Sequence, residues 1–260
     1  MYRGNRVIVV MPAFNAAKTL IPTYREVMEQ GIVDRIILVD DASRDETSDI
    51  ARDLANLRLH VHEVNRGYGG NQKTCYRLAL EENADIVIMV HPDYQYTPKL
   101  IPAMGALIGS GLYDCVLGSR ILGGHALAGG MPPWKYVANR ALTIAENFLL
   151  WEKLSEYHTG YRAFSRAVLE TLPLDENSDG FVFDNQMLAQ ILWFGFRVCE
   201  VGCPTSYFAE ASSVNFGTGI PYGLGCLRTG LQYRLARWGL VPSRRFPTKP
   251  PTSAAKSAVP

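Results

Sequence analysis

The segment His91-Pro92-Asp93-Tyr94-Gln95-Tyr96-Thr97-Pro98 directly follows the apolar run Ile86-Val87-Ile88-Met89-Val90. An acidic side chain at the carboxyl end of a buried strand is where α/β proteins meet a ligand or a metal ion, so Asp93 is placed to do chemistry. A second acidic position, Asp40-Asp41, closes the run Arg35 to Val39. Two adjacent carboxylates repel each other there and gain from a ligand's hydrogen-bond donors. A third carboxylate, Asp184, heads the amphipathic segment that follows Phe181-Val182-Phe183. It can serve as a general base or as an N-cap, and the two roles are compatible.

These residues need elements to hold them. Val7 to Met11, Arg35 to Val39, Leu59 to Glu63 and Ile86 to Val90 are short apolar runs separated by helix-like segments. Strands alternating with helices predict a mostly parallel sheet flanked by helices, an α/β fold. Each run ends in a polar loop: Pro12 to Asn15, Asp40 to Ser43, Asn65 to Gly70, and the His91 segment. Ser43 and Glu46 have capping-box spacing at the start of a helix.

Composition narrows the possibilities. A chain of 260 residues with 47% hydrophobic and 20% charged residues can bury one substantial core, so one catalytic domain over residues 1–241 is expected. A net charge of +1 gives no reason to expect a nucleic-acid partner. The five cysteines are scattered without metal-type spacing, which suits reduced, buried thiols in a cytoplasmic protein. The first strand begins within a few residues of the start, leaving no room for a signal peptide. No apolar run approaches the roughly 20 residues that span a bilayer. A soluble protein is expected, or one resting peripherally on a membrane surface. Residues 242–260, rich in Pro, Ser, Ala and Lys, read as a disordered tail.

Two common nucleotide motifs are excluded. Gly69-Gly70-Asn71-Gln72-Lys73-Thr74 lacks the Gly that precedes Lys in a P-loop, and no GxGxxG follows the first strand.

The ordered set Pro12-Ala13-Phe14-Asn15, Val39 to Thr47, Asn65-Arg66-Gly67, Asp93-x-Gln95, Gly118-Ser119-Arg120 and Thr159-Gly160-Tyr161-Arg162-Ala163-Phe164 resembles the family-2 glycosyltransferases. Within them it is most similar to the polyprenyl-phosphate (dolichol-phosphate) branch. The resemblance covers roughly Val7 to Asn215. It implies the GT-A fold, a Rossmann-like nucleotide-diphospho-sugar transferase architecture. It also implies inverting transfer from a nucleotide-diphosphate sugar, and a divalent cation, Mn²⁺ or Mg²⁺.

The resemblance further implies roles for particular residues. Pro12, Ala13, Asn15, Asp40, Asp41 and Gly67 would line the donor site, with Lys73 either near the diphosphate or simply on a helix surface. Asp93 and Gln95 would hold the metal. His91 stands where the family carries an acidic residue; imidazole suits Mn²⁺ better than Mg²⁺, and a solvent-facing turn explains it equally well. Arg120, Lys135 and Asn139 would grip an acceptor phosphate, with Arg140 nearby. Arg162 would either join them or form an internal ion pair. His158 occupies a position where many relatives have Asp and is, with Asp184, a candidate base. A phosphate acceptor, with a second pKa near ~6, needs little such help. The acceptor implied is polyprenyl phosphate. The alternatives are a glycan or protein hydroxyl, or a non-catalytic nucleotide-sugar-binding protein in which His91 and His158 have displaced acidic groups.

Leu224, Leu227, Leu231, Leu235 and Trp238 step by three and four residues along one helical stripe. Its first reading is a core-covering face. Its second is an interfacial helix that rests on anionic lipid together with Arg228, Arg234, Arg237, Arg244, Arg245 and Lys249. Glu210 to Phe216 stands where relatives have a loop that closes over the donor.

Overall fold

The computed structural model describes residues 1–124, 126–205 and 216–247. The loop Glu210 to Asn215 and the tail from residue 248 onward, Lys249 included, lie outside the described residues.

Seven strands form one sheet in the order β3-β2-β1-β4-β6-β5-β7. β1 (Val7–Ala13), β2 (Arg35–Asp40), β3 (Leu57–Val61) and β4 (Ile86–Met89) are the four strands expected from the apolar runs, with β3 starting two residues earlier. They pair in parallel around β1, Val10 opposite Ile37 on one side and Met89 on the other. β5 (Cys115–Ser119) ends just before Arg120 and pairs in parallel with β7 (Val198–Gly202). Between β4 and β5 lies the short antiparallel β6 (Arg162–Ser165), which makes the sheet mixed. The Gly118-Ser119-Arg120 and Thr159-Gly160-Tyr161-Arg162 motifs are thereby brought side by side, with the Gly118 N–H donating to the Tyr161 carbonyl at 2.8 Å.

Helices cover both faces. Alternation along β1 sends Ile8 and Val10 into one core and Val7, Val9 and Met11 into the other, every one fully buried. α1 (Ala17–Glu29), α2 (Thr47–Arg52) and α4 (Ile101–Gly109) lie on the second core's side. α3 (Gly67–Glu81), α6 (Arg166–Thr171) and α7 (Phe183–Trp193) cover the first, and α5 (Pro133–Leu150) packs against α8 (Phe216–Arg237) beside it.

Three local expectations are corrected. The capping box at Ser43 and Glu46 does not form, because Asp45 accepts the Thr47 N–H at 3.1 Å and Ser43 turns back to Asp40. The stripe on α8 lies at the edge of the core rather than over it: Leu224, Leu231 and Trp238 are 63%, 50% and 64% exposed and Leu227 and Leu235 half-buried, while Cys226, Tyr233 and Ala236 face inward. The start of the expected tail is anchored to the fold at Arg245 and Phe246, while Pro242 and Arg244 stay exposed. Phe246 is fully buried against Trp193 and Tyr233, and Arg245 donates to Asn177 Oδ1 at 2.8 Å and Gln232 Oε1 at 3.0 Å.

Candidate active site

The carboxyl ends of β1, β2 and β4 open onto one groove, lined by Pro12, Ala13, Asn15, Asp41, Gly67 and Asp93 among others. Loop–loop hydrogen bonds fix this edge. Asn15 accepts the Arg44 N–H through Oδ1 at 2.9 Å, and its own N–H donates to Ser43 Oγ at 2.8 Å. Asp40, 1% exposed, accepts from the Ser43 N–H and hydroxyl. Asp41 takes the Arg66 N–H on Oδ1 and the Gly67 N–H on Oδ2, at 2.8 and 2.9 Å, and meets His62 Nδ1 at 2.7 Å. Asp41 thus holds the Arg66–Gly67 turn against the end of β2, while Asp40 holds the turn at Ser43.

Lys73 is absent from this groove. It donates to the Asn177 carbonyl at 2.6 Å and to Asp179 at 2.8 Å, tying α3 to the loop before α7. The neighbouring glycines serve the same contact: a Cβ on Gly69 would lie 2.4 Å from the Ser178 carbonyl oxygen. Close approach is the reason for glycine there, but the partner is the chain's own backbone.

A second cavity lies beside the groove, lined by Arg120, Lys135, Asn139, His158, Asp184 and Tyr222 among others. Tyr68, His91, Asp93 and Phe181 line both spaces and form the wall between them. Gln95, 5% exposed, belongs to the second cavity, and its N–H donates to Asp93 Oδ1 at 3.0 Å.

Arg120 reaches this cavity through a buried partner that sequence reading did not single out. Its Nε donates to Glu156 Oε1 and its backbone N–H to Oε2, both at 2.8 Å, and its Nη2 donates to the His158 carbonyl at 2.9 Å. Asn139 donates to the same Glu156 Oε1 at 2.8 Å. Glu156 is fully buried; burial works against its charge, but Arg120 more than offsets this and holds the carboxyl below its ordinary range. The acidic group of this loop thus stands at 156 rather than at His158. Lys135 lies 5.7 Å from the Trp134 ring centroid, and burial followed by the nearby Arg120 charge lowers its pKa.

Arg162 is committed inside the fold. It is fully buried and donates to the backbone carbonyls of Thr159, Asp184 and Tyr157 at 2.7–2.9 Å. Its hydrogen bonds go to peptide oxygens that lock the start of β6 to α7, and although burial works against the charge, the nearby Asp184 carboxylate raises its pKa. Arg140 likewise donates to a backbone carbonyl, that of Ser155.

Asp184 lies in the first turn of α7 without a capping bond. Its Oδ2 accepts from the Tyr68 hydroxyl at 2.6 Å, while Oδ1 is buried without a hydrogen-bond partner among the described residues. His158 is poorly suited to act as a base. Its Nδ1 lies 2.9 Å from the Tyr222 hydroxyl and its Nε2 3.2 Å from Glu146 Oε2, without hydrogen-bond geometry. Burial pushes the imidazole down to about 4 and the Glu146 carboxyl up to about 8. At neutral pH the pair is a carboxylic acid beside a neutral imidazole.

Tyr68, Phe181, Glu146, Glu156 and Tyr222 were not selected from the sequence. Glu156, three residues before Thr159, was the most legible of them, being the acidic residue of that motif loop.

The mixed sheet with its groove at the strand ends defines a GT-A fold. Glucosyl-3-phosphoglycerate synthase from Mycobacterium tuberculosis, solved with phosphoglyceric acid, superposes with a TM-score of 0.67 at 20% identity, over 92% of this chain and 82% of that one. The chain belongs to glycosyl transferase family 2, which matches residues 8–172. It is 27% identical to the undecaprenyl-phosphate mannosyltransferase of Micrococcus luteus, over 75% of this chain and 82% of the relative. It is also 27% identical to the UDP-N-acetylglucosamine–dolichyl-phosphate N-acetylglucosaminyltransferase of Methanococcus voltae, over 86% and 96%. The GT-A fold and family expected from the motifs are thus borne out.

Proposed function

We propose that the protein is an inverting glycosyltransferase that moves a sugar from a nucleotide-diphosphate sugar to polyprenyl phosphate at a membrane surface. The observation that carries this reading is the shared wall of Tyr68, His91, Asp93 and Phe181 between two cavities, one at the strand ends and one rimmed by Arg120 and Lys135. A donor in the first and an anionic acceptor in the second would meet across that wall. The names of the two relatives above, both acting with polyprenyl-type phosphates, support the acceptor class.

The chain's own groups favour a phosphate over a hydroxyl nucleophile. His158 has little basicity left at about 4, so a hydroxyl would depend on Asp184 alone to accept its proton. A phosphate monoester is largely ionised already at neutral pH, its second pKa being near ~6. Arg120 is fixed by Glu156 before any acceptor arrives, and a preset guanidinium loses little freedom on binding.

No group of three His, Cys, Asp or Glu side chains that could hold a metal occurs among the described residues, so a cation here would share its ligands with the donor. One carboxylate with diphosphate oxygens is a normal setting for Mg²⁺ or Mn²⁺, and Asp93, with Gln95 and His91 beside it, fits that donor set. The structural neighbour named above has also been solved with Mn²⁺ and uridine diphosphate. When bound, the cation would neutralise the departing diphosphate. The protein would place Asp93 beside it and the acceptor on the opposite side of the wall.

Membrane contact is supported by an apolar face on the α5–α8 pair. Val137, Ile144 and Phe148 on α5, with Trp151 just after it, are 65–78% exposed and continue the exposed stripe of α8. Trp134, 47% exposed, belongs to this face and to the second cavity. A lipid-linked phosphate could enter there without leaving the bilayer surface. No helix among the described residues is long and apolar enough to cross a membrane. Arg234, buried and donating to the Phe148 carbonyl, and Arg245 are both engaged within the fold, which leaves Arg228, Arg237 and Arg244 for the rim.

The deciding experiment incubates the purified protein with a panel of nucleotide-diphosphate sugars, Mn²⁺ or Mg²⁺, and either polyprenyl phosphate or the free polyprenol. Transfer to the phosphate with inverted anomeric configuration, lost in Asp93→Asn, is expected. Transfer to the free alcohol alone would replace the phosphate reading with a hydroxyl one.

A further inference from the structure

The Tyr68 hydroxyl sits between two groups that the proposed reaction separates. It lies 2.6 Å from Asp184 Oδ2 and 3.2 Å from His91 Nε2. The hydroxyl donates to Asp184 Oδ2, so the Tyr68 proton points to Asp184. The phenol oxygen is then left with lone pairs alone, and it can meet His91 only as acceptor of an Nε2–H. In a neutral imidazole this leaves Nδ1 without a proton. Nδ1 has no hydrogen-bond partner among the described residues.

Two further contacts hold the ring in place. The Tyr68 and His91 rings stack, with centroids 5.5 Å apart and planes 15° from parallel. Gly160 provides the space: a Cβ there would lie 2.7 Å from His91 Nε2 and 3.2 Å from the Tyr68 oxygen. A histidine merely turned to solvent would need neither the stack nor the cradle.

We propose that Tyr68 is a positioning residue that fixes His91 as its Nε2–H tautomer and so leaves Nδ1 as the lone pair offered to a nucleotide-bound divalent cation. Direction comes from across the wall. Asp184, in the second cavity, sets the Tyr68 proton, Tyr68 sets the His91 tautomer, and His91 borders the donor groove. The acidic position of the resembled family is thereby filled by a neutral ligand whose lone pair is oriented by a carboxylate two hydrogen bonds away. The cation part rests on the proposed donor site, whereas the tautomer does not.

Nitrogen-15 ring spectra of the full chain test the tautomer without any substrate, the His91 signals being assigned by their loss in His91→Gln. The expected result is a proton on Nε2 in the wild-type protein and a mixed tautomer in Tyr68→Phe, which keeps the stacked ring. An Nδ1–H form in the wild type, or an unaltered Nε2–H form in Tyr68→Phe, would overturn the proposal. A second arm titrates Mn²⁺ in the presence of uridine diphosphate and follows paramagnetic broadening of the His91 ring. Half-saturation should shift about 10- to 100-fold higher in Tyr68→Phe, as loss of an orienting partner does at metal sites. Gly160→Ala, which displaces His91 while keeping the Tyr68 hydroxyl, should shift it in the same direction. Broadening elsewhere with His91 sharp would remove it as a ligand. An Nε2–H histidine in a protein that takes up no metal with nucleotide would keep the Tyr68 role and overturn the donor-site reading instead.

Discussion

Arg120 and Glu156 form an ion pair at the end of β5 in which one carboxylate receives both the guanidinium and the backbone N–H of the same arginine. Glu156 is fully buried, so the pair is part of the fold as well as of the candidate acceptor site. Removing the arginine would leave a buried charge without its main partner, a loss typically costing about 3–5 kcal/mol. Arg120→Ala is therefore expected to lower unfolding stability by that order in urea titrations. The double variant Arg120→Ala/Glu156→Gln should recover a substantial part. An acceptor effect of this residue is better read from Arg120→Lys, and an Arg120→Ala protein as stable as wild type would show the pair to be dispensable.

Glu146 and His158 should leave a signature in stability against pH. Raised from 4.5 to about 8, Glu146 contributes stability that is full below 4.5 and lost as pH climbs through about 8. Lowered from 6.5 to about 4, His158 does the opposite: its contribution is present above 6.5 and lost as pH falls through about 4. Between pH 6.5 and 8 only the Glu146 effect remains, so wild-type stability should fall relative to Glu146→Gln in that window. The slope for one proton is at most about 1.4 kcal/mol per pH unit. Parallel curves for the two proteins would show that Glu146 ionises normally.

Lys73→Met separates a structural from a donor role. The contacts to Asn177 and to the largely exposed Asp179 predict a stability loss of about 1 kcal/mol with the donor's Michaelis constant unchanged. A large rise in that constant at unchanged stability would return Lys73 to the donor site.

The exposed face of α5 and α8 predicts binding to lipid. Sedimentation with anionic phosphatidylglycerol vesicles should recover the wild-type protein and lose most of Phe148→Ser/Trp151→Ser/Trp238→Ser. Turnover on a short, water-soluble prenyl phosphate should survive the triple change, because these residues lie outside both cavities. Equal sedimentation of both proteins would show that the face does not meet the membrane.

Much of the architecture was legible in the sequence because its signals are local. Four apolar runs gave β1 to β4, and the polar residues after them mark the groove edge, since a strand's direction decides where its last side chains go. β6 and β7 were not legible. β6 has four residues and begins with an arginine that no strand pattern favours, and β7 is only half-buried at the sheet edge. What only the tertiary structure decided is which polar group faces a ligand and which faces the chain itself. Lys73 meets Asp179 across 106 positions, and Asp184 meets Tyr68 across 116. Arg162 and Asp41 stand at motif positions but spend their hydrogen bonds within the chain, Arg162 on peptide oxygens and Asp41 on two backbone N–H groups and the His62 ring. A motif records that a charge is required at a position. The partner that charge takes depends on long-range placement, where each buried polar group must be satisfied by whatever the fold brings within about 3 Å.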